Sequence, residues 1–351
     1  MPRSTRSPFR IVLCAVSAVL VALPLVACGG ARSGGGGGEG KTYTIKFSHV
    51  VAENTPKGQA AKKFKELLEK STDGRIKVEI YPNSELYGDK DELQALQSDS
   101  VQMLAPASAK FTTIAPELQV LDLPFLFDTV DDIPKVASPD TTVGKSIFEN
   151  EKLASKNTKV LGLWDNGLKQ LSSNKLMRNE KDLKGLSFRI QPSDVLRSQF
   201  DEWGAKATPM AFSEVYNALQ QGVVDGQENP YSNIESQNMH TVQKHITESN
   251  HGYVGYVLVV STKFFESLPT DLQDDVVKAS EDASTYNREI AAEVNAEAKK
   301  TIEDAGKTTI TKLTDSERKA LKDAVVPKVW EQYADVIGED VVAELLKQQA
   351  G

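Results

Sequence analysis

From Lys41 to Pro106 strand and helix patterns alternate, and that order limits the fold more than any other feature of the chain. KTYTIKFSHV places Tyr43, Ile45, Phe47 and His49 on one side and Thr44, Lys46 and Ser48 on the other, which is the period of a strand. ENTPKGQAAKKFKELLEKSTDG then reads as a helix: Asn54 or Thr55 caps it, Pro56 occupies its first turn, and Gly74 ends it. RIKVEIYP is a second strand, a helix opening at Gly88 and Asp89 runs to about Gln97, and VQMLAP is a third strand. A β-α-β-α-β order implies long crossovers, so the sequence predicts an α/β fold with a parallel sheet.

Beyond this unit, LQVLDLPFLF is apolar and broken by Pro124, as in a packed connection. TKVLGLWDNGLKQLSS and GLSFRIQPS read as strands near the point where the chain should cross into a second lobe. DVLRSQFDEWGA is a helix stopped by Gly204, TPMAF an extended piece, and SEVYNALQQG a helix capped by Ser213 and ended by Gly222. HGYVGYVLVVS reads as a strand returning to the first lobe. A helical stretch from about Thr270 to Ala305 would extend roughly 50 Å, enough to brace two lobes. The part of the chain beyond Gly40 is too long for one simple core and suits two lobes. The expected division is 41–165 with part of 254–351 for one lobe, 166–253 for the other, and 270–305 as the brace.

The N-terminus carries its own message. Arg3, Arg6 and Arg10 precede an uncharged apolar run from Ile11 to Ala27, which is the pattern of an export signal over 1–27. The run is short for a membrane span and contains Pro24. Leu25, Val26, Ala27 and Cys28 match the lipobox of bacterial lipoproteins, so Cys28 is expected to carry a diacylglycerol and a fatty chain such as palmitate; an ordinary cleavage site before Cys28 is the alternative. GGARSGGGGGEG cannot form a core and behaves as a flexible coil of roughly 20 Å reach, which makes 28–40 a tether between lipid and domain.

Cys14 lies in the signal and Cys28 in the anchor, which leaves no cysteine for disulfides, metal ligation or thiol catalysis. Loss of the three signal arginines takes the formal charge from −8 to −11. A surface that acidic disfavours nucleic acid, and an anionic ligand must be drawn by a local cationic site.

Arg189, in GLSFRIQPS, is the first candidate for such a site. Arginine is rarely buried unpaired, and its planar fork fits a carboxylate in two-pronged geometry; the alternatives are a nearby Asp or Glu, or an aliphatic stem leading the charge to solvent. Lys169, between Leu168 and Gln170, is a second cation, by itself readable as a solvated strand face. DGQENP reads as a tight polar turn in which Gln227 and Asn229 can each donate and accept. His49 falls on the apolar side at the C-terminal end of the first strand, where ligands of open α/β sheets bind, and is either a contact or a core histidine. The helix beginning near Pro56 could also aim free N–H groups at an anion. Tyr253 and Tyr256 alternate with Val254 and Val257 and suit core packing.

GLSFRIQPS, followed by GAKATPMAFSEVYNALQQGVVDGQENP, resembles the solute receptors of tripartite ATP-independent periplasmic (TRAP) transporters. The resemblance extends from FSHVVAENTPKGQAAKKF through YPNSELYGD and LPFLF to HGYVGY. It implies a two-lobed periplasmic-binding-protein-like fold that closes on a carboxylate. It further implies that Arg189 holds that carboxylate by a two-pronged ion pair, that Asn229 fixes the same end, that Lys169 is a second basic contact, and that the aromatic ring of Phe212 packs on the ligand. WDNGLKQ, FRIQPS, NMHTVQKH and HGYVGY look most like the dicarboxylate (DctP-like) receptors for malate, succinate and fumarate. Sialic-acid receptors carry an acidic residue in the segment matching PASAKF, where this chain has Ala107. Ser108, Asn166 and Tyr253 complete the expected ligand contacts, together with His49.

The implied partners are a small carboxylate, the membrane subunits of a TRAP permease, and the lipid bilayer, at an extracytoplasmic location. A ligand-presenting sensor for a membrane kinase, a receptor for another organic acid, and a surface enzyme acting on carboxylates are the rival readings. No metal, cofactor or catalysis is expected. His240 and His245 are five apart, no HExxH, GxSxG or phosphate-loop motif occurs, and Glu214 and Asp225 have no evident cleft to share.

Overall fold

The computed structural model describes residues 41–350, so the leader, Cys28 and the glycine tether lie outside the described residues. Two sheets organise the chain. The first has the order β2 (Ile76–Tyr81), β1 (Tyr43–Ser48), β3 (Met103–Leu104), β10 (Tyr253–Ser261), β4 (Thr158–Leu168). β1 lies parallel to β2 and β3, as the alternation of strand and helix requires. β10 runs antiparallel to both β3 and β4, so the sheet is mixed and not parallel throughout. The reason is that β10 arrives directly from the other sheet with no helical crossover to reverse it.

Local chemistry starts the first helix where the sequence predicts. In α1 (Pro56–Ser71) the Thr55 hydroxyl accepts from the Gly58 N–H at 3.2 Å, and Gly74 at φ +73° takes the left-handed turn after its end. Its apolar face drives Phe64 edge-on against Phe47 of β1, ring centroids 6.0 Å apart. α2 (Glu92–Gln97) opens later than predicted, because Gly88 to Asp91 form a turn closed by Asp91 Oδ1 accepting from the Gly88 N–H at 2.8 Å.

The second sheet has the order β11 (Thr309–Lys312), β9 (His245–Glu248), β5 (Gln170–Ser173), β8 (Gly226–Asn229), β6 (Ser187–Ile190), β7 (Lys206–Pro209). The DGQENP segment is therefore a buried central strand, with no turn at Gln227 or Asn229. Gly226 serves close packing: a Cβ there would stand 2.4 Å from the Ser172 carbonyl oxygen and 2.5 Å from the Phe188 ring. Ser213 lies inside a 3₁₀ turn, Phe212–Glu214, that leads into the helix Val215–Gln220, and does not cap it.

Lys169 alone separates β4 of the first sheet from β5 of the second. The return crossing, residues 249–252, runs beside it, with the Lys169 N–H donating to the Gly252 carbonyl at 2.8 Å. The helix Thr270–Ala305 braces both lobes over 36 residues. On the first, Asn287 Oδ1 accepts from the Asp165 N–H at 2.5 Å and Ser284 Oγ accepts from Trp164 Nε1 at 2.9 Å. On the second, Asn295 Oδ1 accepts from the Ser232 N–H at 3.0 Å and Lys299 pairs with Glu248 at 2.8 Å. The C-terminal helices after Thr314 pack back over the 116–127 connection, where Trp330 Nε1 donates to the Pro124 carbonyl at 2.9 Å.

Candidate functional site

Arg189 lies on β6 between fully buried Phe188 and Ile190 and is itself 1% exposed, so its charge does not reach solvent. Its Nε and Nη2 both donate to the Met210 carbonyl, at 3.0 and 2.8 Å. Among the described residues no Asp or Glu forms an ion pair with it, and Nη1 has no hydrogen-bond partner. Burial disfavours its charge, while Asp89 and Glu228, at longer range, oppose that effect. A buried guanidinium balanced only by a carbonyl is poised for an anion.

The two lobes meet beside it. The Phe212 ring centroid is 6.0 Å from Arg189 Cζ, and the Phe212 N–H donates to Asp89 Oδ2 at 2.6 Å. Asp89 in turn pairs with Lys110 at 3.1 Å, both side chains being buried. Burial pushes the Asp89 carboxyl up, but Lys110, the Phe212 amide and Arg189 together hold it below the usual range. Asn229, on β8, donates through Nδ2 to Gln227 Oε1 at 2.6 Å and accepts from Asn233 Nδ2 at 3.0 Å. Asn233 also reaches the Tyr256 hydroxyl at 3.4 Å.

The ammonium of Lys57, in the first turn of α1, sits 3.6 Å above the Tyr256 ring and donates to the Ala105 carbonyl at 3.0 Å. His49 is fully buried, and neither ring nitrogen has a partner among the described residues. Burial first, and the charge of Lys57 second, press its pKa down to about 3, so near neutral pH it is an uncharged imidazole. Arg189, Phe212, Asn229 and His49 thus share one neighbourhood, linked through Asp89, Lys110, Lys57 and Tyr256.

Of the remaining candidates, Lys169, Ser108 and Tyr253 are engaged with protein acids and Asn166 is not. Lys169 is no solvated strand face: its ammonium pairs with Glu228 Oε1 at 2.7 Å, and each side chain is 1% exposed. Glu228 Oε2 meets His251 Nε2 at 2.8 Å. Burial pushes the Glu228 carboxyl up, but Lys169 and His251 hold it down at about 2. Ser108 donates to Asp122 Oδ1 at 3.5 Å, and burial lifts the Asp122 carboxyl to about 6. Asn166 is buried with neither side-chain amide atom partnered among the described residues, and Asn295 holds its carbonyl at 2.7 Å. The Tyr253 hydroxyl donates to Asp165, which also pairs with Arg288 at 2.9 Å.

Sequence reasoning passed over Lys57, Glu92 and Glu228, and read Asp89 only as a helix start and Tyr256 as core packing. Lys57 did carry a signal: a cation in the first helical turn opposes the helix macrodipole and calls for a compensating role. Two grooves of about 570 and 660 Å³ run along the long helix, and neither contains Arg189 or Asn229. The cations that line these grooves, Arg288 and Lys299, are already paired with Asp165 and Glu248. Among the described residues no cluster of His, Cys, Asp and Glu has metal-binding geometry, and no helix is long and apolar enough to cross a membrane.

The family model for bacterial extracellular solute-binding proteins, family 7, matches residues 47–335. The C4-dicarboxylate-binding periplasmic protein DctP of Rhodobacter capsulatus is 46% identical over 300 residues, spanning 85% of this chain and 89% of the relative. A TRAP periplasmic solute-binding protein from Shewanella oneidensis, solved with bound succinate, is 42% identical with a TM-score of 0.83, covering 87% of this chain and 99% of that one. A second, from Pseudomonas aeruginosa with bound L-malate, is 38% identical with a TM-score of 0.80, covering 83% and 100%. These matches extend over nearly all of the described residues, across both sheets and the long helix. The chain belongs to family 7 of the bacterial extracellular solute-binding proteins, as a DctP-like solute-binding protein of the TRAP type.

Proposed function

We propose that this chain is an extracytoplasmic receptor that captures a four-carbon dicarboxylate, of the succinate and malate class, between its lobes and delivers it to the membrane subunits of a TRAP permease. The observation that carries the reading is Arg189: a fully buried guanidinium, without a carboxylate partner among the described residues, at the meeting of the two lobes. The relatives that bind C4-dicarboxylates, and the solved structures holding succinate and L-malate, support the choice of ligand.

In this reading one carboxylate takes the Arg189 fork, with Asn229 beside it and the Phe212 ring against the carbon chain. Lys57 and His49, on the other lobe, receive the second carboxylate. Because ligand contacts come from both lobes, binding energy shifts the population from open to closed. The lobes that move are 41–165, with part of 254–351, and 166–253. Residues 1–27 direct export, and Cys28 with the tether 28–40 holds the receptor to the membrane by lipid; the lipobox and the glycine run support this.

Calorimetric titration of Arg189→Ala tests the site. Loss of a charge-assisted two-pronged pair should cost at least about 2 kcal/mol of succinate or malate binding, roughly thirtyfold, with an unchanged circular dichroism spectrum. An unfolded variant would mean that Arg189 is a structural residue.

A further inference from the structure

Glu92 is a buried acid of this neighbourhood with no ion-pair partner among the described residues. It is buried on the first turn of α2, and its Oε1 has no hydrogen-bond partner among the described residues. No cation pairs with it there: Lys110 is taken by Asp89, and Lys57 donates to the Ala105 carbonyl above the Tyr256 ring. An ionised carboxylate so placed would keep Oε1 out of water with no donor to replace it, which is a costly state. The ionisable groups close enough to act on it are Asp89 and Asp91 from the preceding turn, Lys57 from α1, Lys110 from the 3₁₀ turn Ser108–Phe111, and Tyr256 from β10.

The charges of the pocket follow from this arrangement. Lys110 and Asp89 cancel as a buried pair, leaving Arg189, Lys57 and Glu92. With Glu92 ionised they sum to one positive charge, which suits a monoanion. With Glu92 neutral and Lys57 still protonated, against a burial that lowers its pKa, they sum to two, which suits a dianion.

Resting on the reading of this pocket as a carboxylate site, we propose that Glu92 is a specificity-determining residue, held as an uncharged carboxylic acid so that the pocket presents two net positive charges and selects dianions over monoanions. Burial, the largest influence, and Asp89 both push its carboxyl pKa upward against the pull of Lys57 and Lys110, in agreement with the geometry.

The test uses the whole chain and Glu92→Gln, which mimics the neutral acid in shape. Near pH 7, an infrared difference spectrum between the two should show the carbonyl stretch of a protonated carboxylic acid lost on substitution. The preference for succinate over its monomethyl ester should persist in Glu92→Gln. Loss of carboxylate bands only, or a preference that rises more than about fivefold in folded Glu92→Gln, as removal of a negative charge would produce, overturns the proposal. If the unsubstituted protein binds no dicarboxylate, the reading of the pocket fails instead, while the infrared spectrum still decides the state of Glu92.

Discussion

Replacing Lys169 by Met would leave Glu228 as a buried carboxylate with only His251 for company. The ion pair is 2.7 Å long, both side chains are 1% exposed, and it ties β8 to the single residue between β4 and β5. Breaking a buried pair by removing one partner costs about 3–5 kcal/mol, because the surviving charge is left uncompensated. The depressed Glu228 carboxyl points the same way: a fall from 4.5 to about 2 corresponds to about 3 kcal/mol of preference for the ionised form in the folded protein. Lys169→Met/Glu228→Gln removes both charges and should recover at least about 2 kcal/mol of that loss. Urea unfolding followed by tryptophan fluorescence reports on this region, since the Trp203 ring lies 5.5 Å from His251. A Lys169→Met protein that loses less than about 1 kcal/mol of stability, yet no longer binds succinate, would show that Lys169 serves the ligand and not Glu228.

Acid should weaken the same junction. The Glu228 pKa is depressed on folding, so its contribution is complete above about 4.5 and is lost as pH falls toward about 2. Urea midpoints measured through that window should fall more steeply for the unsubstituted protein than for Lys169→Met/Glu228→Gln. At the N-terminus, Cys28→Ser should release the receptor from the membrane fraction, and intact-mass analysis should show the acyl chains missing. Retention of the substituted protein in the membrane fraction would contradict a lipid anchor.

Much of the fold is legible where local chemistry decides. Thr55, Pro56 and Gly74 bound the first helix by capping and turn geometry, and the apolar spacing from Leu272 to Val294 marks the long one. The mixed first sheet is not legible in that way, because the direction of β10 is set by where the chain has already crossed. DGQENP shows a different limit: glycine, asparagine and proline signal a turn, but pairing with β5 and β6 overrides that preference and makes a strand.

The candidate site divides along the same line. Arg189 stood out because a charge interrupted an apolar strand. Lys57, Asp89 and Glu92 look like ordinary charges of helix starts and turns, and only tertiary packing buries them, Lys57 against Ala105 and Tyr256 and Asp89 against Lys110 and the Phe212 amide. The pairing of Lys169 with Glu228 depends on the register of β5 against β8, which no local pattern encodes.

The most direct test of the account is calorimetric titration of the purified protein with succinate, L-malate and fumarate beside acetate, lactate and pyruvate. The account predicts saturable one-to-one binding of at least one of the dicarboxylates, with the monocarboxylates weaker by tenfold or more, on the order of 1.4 kcal/mol. Binding of a monocarboxylate while all three dicarboxylates fail would contradict it.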